Sequence, residues 1–72
     1  MAKPTQISIT SEYITLGQFL KLSHIISSGG EAKSFLHEHS LIVNGILENR
    51  RGRKLRVNDK LEYLGISYEI TS

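Results

Sequence analysis

The sequence contains no cysteine, no tryptophan and a single proline among its 72 residues. Without cysteine there is no disulfide framework and no thiolate metal site. No apolar run approaches the length of a membrane span. The opening MAKPTQIS has one lysine and no apolar h-region, so no signal peptide is expected. Together these absences point to a cytoplasmic chain. A chain this short buries only about 60% of its unfolded surface, enough for one domain, taken as residues 1–72. Paired stacking aromatics are also missing. Tyr13, Tyr63 and Tyr68 are scattered, and are expected to pack against a sheet. No nucleophile–base spacing stands out, and a catalytic pocket is hard to build at this size. The chain therefore reads as a non-enzyme with no cofactor.

What the chain does have is unevenly placed charge. Its net charge is only +2. Residues 50–60 nonetheless hold six cations (Arg50, Arg51, Arg53, Lys54, Arg56 and Lys60) against one acid, Asp59. The rest of the chain holds Lys3, Lys21 and Lys33 against six acids. A basic patch on a mildly acidic body is the electrostatic footprint of a polyanion binder. Cations this dense repel one another and cost stability unless something anionic sits nearby.

The hydrophobic pattern gives the order β–α–α–β–β–β–β. Ile7 and Ile9 alternate with polar residues in a first strand, with a turn near Ser11–Glu12. Leu16, Phe19, Leu20, Ile25 and Ile26 give one helical face, opened by a Thr15–Gln18 capping box. Ser28 and Glu31 form a second such box, with Gly29 and Gly30 in the first turn of a helix running to about Glu38. Ala32, Phe35 and Leu36 make its apolar face, and the short link predicts a tight helical pair. From Leu41 the period becomes 2. Asn44-Gly45 signals a hairpin, Arg51-Gly52 and Asn58-Asp59 two further turns, and Gly65 another. Leu55 and Val57 are expected to face inward. The fold class is α+β: a helical pair packed on a small, mostly antiparallel sheet.

Ser28 with Ala32, then Val43-Asn44-Gly45, the basic turn, and Asp59 before Leu61 follow in an order that resembles the RNA-binding domain named after ribosomal small-subunit protein four, also called the αL motif. The resemblance covers residues 14–63, with flanking strands outside it, and is greatest to short stand-alone bacterial members. It implies a non-catalytic module that contacts structured RNA, ribosomal or transfer, and by family analogy a part in ribosome assembly or quality control. Carried over by position, the RNA-facing residues are Ser28, Gly29, Gly30 and Lys33 at the second helix, with Asn44, Arg50, Arg51, Arg53 and Lys54 from the β-loops. Two positions depart from the family pattern. Gly29 stands where many members have arginine, and His39 where a left-handed glycine is usual.

The chemistry of these residues suits the implied role. A helix start presents unpaired N–H groups, and Gly29 and Gly30 would let a phosphate approach the backbone. Arginine binds phosphate in planar, bidentate fashion. The same Ser-Gly-Gly run also serves as a plain connector, with Glu31 adding negative charge. Arg56 and Lys60 read as a solvated outer strand face. Asn44 reads first as a turn residue. His37 and His39 diverge, so metal binding is not expected. Replacing Arg50, Arg51, Arg53 and Lys54 together with alanine is expected to leave the fold nearly intact and remove most RNA affinity. The alternative reading is an adaptor docking an acidic protein on the same turn. Oligomeric state is open at this point.

Overall fold

The computed structural model describes residues 3–72; Met1 and Ala2, at the start of the expected 1–72 domain, lie outside the described residues. Seven strands and two helices follow in the order β1 (Thr5–Ser8), β2 (Ile14–Thr15), α1 (Leu16–Leu22), α2 (Ala32–Glu38), β3 (Leu41–Val43), β4 (Ile46–Glu48), β5 (Lys54–Leu55), β6 (Lys60–Tyr63) and β7 (Ile66–Thr71). A five-stranded sheet runs β1-β7-β6-β3-β4, and a separate ribbon pairs β2 with β5. Among the described residues only β1 and β7 pair in parallel, with Ile7 beside Ile70. The α+β class expected from the sequence is what the chain adopts. Two strands are additions to the expected order: the two-residue β2, too short for any periodicity to register, and a fifth strand after the helices, where β3 to β7 form in place of four.

The sheet sends one face into the core. Leu41 and Val43 from β3, Leu61 from β6, and Tyr68 and Ile70 from β7 are buried there. Leu16, Phe19 and Leu20 meet them from α1, at the i, i+3, i+4 spacing of one helical face, and Ala32 and Leu36 meet them from α2. The Phe19 ring stands edge-on to Tyr68, centroids 5.2 Å apart at 88°, and couples α1 to the middle of the sheet.

Helix α1 is shorter than its apolar stripe predicts. It stops at Leu22, and His24 takes a left-handed φ of 63°. The His24 N–H donates to the Lys21 carbonyl and the Ile25 N–H to the Leu20 carbonyl, the paired bonds of a Schellman motif. Ile26 is still buried, from a loop rather than a helix, which is why the stripe continued past the stop. Histidine in place of glycine hid the cap.

The start of the second helix also differs. Gly29–Glu31 form a 3₁₀ turn ahead of α2, and Ser28 makes no side-chain cap bond. Instead the Ser27 and Ser28 hydroxyls both donate to Glu31 Oε1. At the other end His39 is extended, with φ −132°, not left-handed. Its ring lies 4.8 Å from Phe35.

In the β half, Asn44 (φ 51°) and Gly45 (φ 85°) close the β3–β4 hairpin, and Leu64 (φ 51°) and Gly65 (φ 77°) close β6–β7. Leu55 is buried as expected, whereas Val57 is exposed. Strand β5 ends at Leu55 and the chain turns at Asn58 (φ 82°), so the alternation stops before reaching Val57. Among the described residues no helix is long and apolar enough to cross a membrane.

Candidate nucleic-acid interface

The basic segment begins where β4 ends. The Arg53 N–H donates to the Arg50 carbonyl at 3.1 Å and closes a tight turn over Arg50–Arg53. This turn is fastened to α1 through main-chain bonds. The Leu16 N–H donates to the Arg53 carbonyl at 2.8 Å, and the Gly17 N–H to the Arg51 carbonyl at 2.9 Å. The Thr15–Gln18 capping box completes the set, with the Gln18 N–H donating to Thr15 Oγ1 at 3.2 Å and the Thr15 N–H to Gln18 Oε1 at 2.8 Å. The first N–H groups of α1 are thus satisfied by the turn and the cap. They are not open to an anion.

Glu48 organises the turn from inside. It ends β4 opposite buried Leu41, on the core-facing side of the sheet, and is only 8% exposed. Its carboxylate accepts from the N–H groups of Asn49 and Arg50, from Arg50 Nε at 2.9 Å and Nη2 at 3.0 Å, and from Arg53 Nη1 at 3.2 Å. The Arg50 guanidinium holds the carboxyl far below the usual range, at about 2, against the opposing effect of burial; the Arg50 N–H and Arg53 add to the lowering. The same contact raises Arg50. The dense cations therefore have a nearby anion within the protein itself, Glu48, two residues ahead of Arg50 in the sequence.

The remaining cations differ in their partners. Arg56 pairs with Glu12 at 3.3 Å, and its N–H donates to Asp59 Oδ2. Lys54 Nζ lies 4.9 Å from the Tyr13 ring centroid. Among the described residues Arg51 and Lys54 have no carboxylate partner. Two open hollows flank Arg51. One is lined by Lys33, His37 and Glu38 of α2 together with Asn49. The other is lined by Gln18 and Lys21 of α1 together with Gly29 and Gly52.

Of the residues singled out in the sequence, the structure brings Gly29, Lys33 and Arg51 together, with Ser28 and Gly30 adjoining Gly29 along the chain. A Cβ at Gly29 or Gly30 would meet nothing within 4 Å, so packing does not require glycine at either position. Arg50 and Arg53 share the turn with Arg51 but engage Glu48. Asn44 is placed elsewhere, at the tip of the β3–β4 hairpin, opposite the end that carries Glu48. There its N–H donates to the Lys60 carbonyl at 2.7 Å, its Oδ1 accepts from the Lys60 N–H at 3.0 Å, and its Nδ2 donates to Asp59 Oδ1 at 3.1 Å.

Sequence reasoning missed Lys21. It lies four residues after Gly17, on the helix face that meets the arginine turn. That adjacency depends on the Gly17–Arg51 bond, which no spacing in the sequence announces. Among the described residues, no three His, Cys, Asp or Glu side chains are grouped so as to hold a metal.

The chain is 55% identical, over the full length of both, to the Bacillus subtilis (strain 168) chain named "Probable ribosome maturation protein RlbA". No solved structure gives a significant match. The family model described as "S4 domain" matches residues 7–71, from β1 to the end of β7, and the chain belongs to that family.

Proposed function

We propose that this chain is a non-catalytic RNA-binding protein that contacts structured RNA, ribosomal or transfer, during ribosome maturation. The observation that carries the reading is the position of Arg51. It has no carboxylate partner among the described residues, and it stands between two hollows that hold Lys21 and Gly29 on one side and Lys33 on the other. Three cations from three elements then face one polyanion, with Lys54 next along the turn. Arg50 and Arg53 shape the turn through Glu48, and Arg50, whose side chain is 75% exposed, keeps donors free for the same polyanion. Gly29 and Gly30 leave the backbone beside this surface uncovered. The name of the Bacillus subtilis relative supports the link to ribosome maturation. The open, shallow form of both hollows suits a binding surface better than a reaction chamber.

Binding to ribosomal and transfer RNA, with duplex DNA as competitor across a salt series, tests the reading. The triple variant Lys21→Ala, Lys33→Ala, Arg51→Ala is measured beside the wild type. Each lost phosphate contact reduces the log–log salt slope by roughly 0.7 to 0.9, so the variant should bind more weakly and with a clearly flatter slope. A folded wild-type protein that binds no RNA at low salt, or prefers duplex DNA, would overturn the reading. The first of these outcomes would shift weight to the docking of an acidic protein on the same surface.

A further inference from the structure

Tyr13 was expected to pack against the sheet. It is instead 38% exposed, at the outer side of the β2–β5 ribbon. One step beyond the Ile14–Leu55 pair, its ring has Lys54 Nζ at 4.9 Å and the Arg56 guanidinium carbon at 5.5 Å from its centroid. Glu12 answers the charge of Arg56. Lys54 keeps its charge unanswered by any carboxylate among the described residues. Both cations lie over the ring in the free protein, so a base that stacks there takes their place and leaves Lys54 free for its phosphate; ring and cation match the two parts of a nucleotide, a flat base and an anionic phosphate.

The position of the ring strengthens this. Thr15 and Gln18 line both the hollow beside Arg51 and Gly52 and the hollow beside Tyr13. The surface is therefore continuous from Lys33, past Arg51, along the first turn of α1, to Tyr13. A backbone held at Arg51 has Tyr13 and Lys54 next in its path.

Resting on the RNA-binding reading above, we infer that Tyr13 is a stacking platform for one unpaired RNA base, with Lys54 beside it for that nucleotide's phosphate. The preferred RNA then carries a loop or bulge at this end of the surface, because a base inside a duplex has both faces covered by its stacked neighbours.

The test compares a hairpin RNA with a purine loop against a fully paired duplex RNA of the same length. Wild type, Tyr13→Phe, Tyr13→Leu and the Lys21/Lys33/Arg51 triple-alanine variant are measured on both, each shown to be folded by circular dichroism and thermal melting. Base–aromatic stacking corresponds to roughly a 5- to 150-fold difference in affinity. Tyr13→Leu should lose that much on the loop RNA and almost nothing on the duplex, while Tyr13→Phe stays within about twofold of wild type because the ring is kept. The triple variant should weaken on both RNAs. Equal loop-RNA affinity for Tyr13→Leu and wild type, or equal losses on loop and duplex, overturns the platform while leaving the RNA reading intact. A wild type that binds neither RNA overturns both.

Discussion

The Gly17 N–H donates to the Arg51 carbonyl across 2.9 Å, so the arginine turn and the first turn of α1 form one unit. A Cβ built at Gly17 would lie 3.5 Å from Ala32 Cβ and 3.5 Å from the Arg51 carbonyl oxygen, ordinary van der Waals contact. Atoms beyond Cβ would have to find room beside both neighbours. Gly17→Ala should therefore be tolerated, raising stability by up to about 1 kcal/mol through helix propensity. Gly17→Leu should force the turn and α2 off the helix, costing about 1–3 kcal/mol as overpacking does. Chemical denaturation of both variants checks this, with RNA affinity falling for leucine and not for alanine.

Glu48 gives the fold a defined acid limit. A carboxyl whose folded pKa is depressed contributes stability that is complete above its unfolded value and is lost as pH falls toward the folded one. For Glu48 that window runs from about 4.5 down to about 2. Glu48→Gln should lower stability at neutral pH by about 1–3 kcal/mol, the scale of hydrogen bonds to a charged group. It should also flatten the decline in stability between pH 4.5 and 2. Flattening will be partial, since the Ser27 hydroxyl also lowers the pKa of Glu31. Denaturation midpoints measured across that pH range for wild type and variant provide the check.

The same carboxylate changes what the four-alanine variant would do. Removing Arg50 and Arg53 strips Glu48 of its side-chain donors and leaves a nearly buried charge with only the Asn49 and Arg50 N–H groups. Replacing Arg50, Arg51, Arg53 and Lys54 together should thus destabilise the fold by about 2 kcal/mol or more. Arg51→Ala alone should leave the melting temperature nearly unchanged. Thermal melts of the two proteins separate these outcomes, and the single variant is the cleaner probe of RNA binding.

The fold was legible where one residue type met one local demand. The Thr15–Gln18 cap, the Asn44-Gly45 turn and the alternation of Leu41 and Val43 each encode a single backbone event. The sequence misled where a residue did something its type seldom does. His24 closes a Schellman motif without glycine, so α1 ends short of the apolar stripe that predicts it through Ile26. The interface was legible as a charge run and not as a geometry. Which arginines are answered depends on Glu48, and which lysines join Arg51 depends on how α1 and α2 pack against the turn. Those are long-range contacts, and a linear charge count does not contain them.

Asn44 separates a structural demand from a binding one. It holds φ at 51°, which asparagine tolerates better than alanine, and its amide bridges Lys60 and Asp59. Asn44→Ala should lose both the side-chain bonds and the turn preference, at a cost of about 1–3 kcal/mol. Asn44→Gly restores the left-handed conformation without the bonds, so it should recover part of that loss. At a temperature where all three proteins are fully folded, RNA affinity should be similar among them, because the hairpin tip lies at the opposite end of β3–β4 from Glu48 and the arginine turn. An affinity that falls for Asn44→Gly while its fold stays intact would instead extend the RNA path along the hairpin to Asn44 and the neighbouring Lys60.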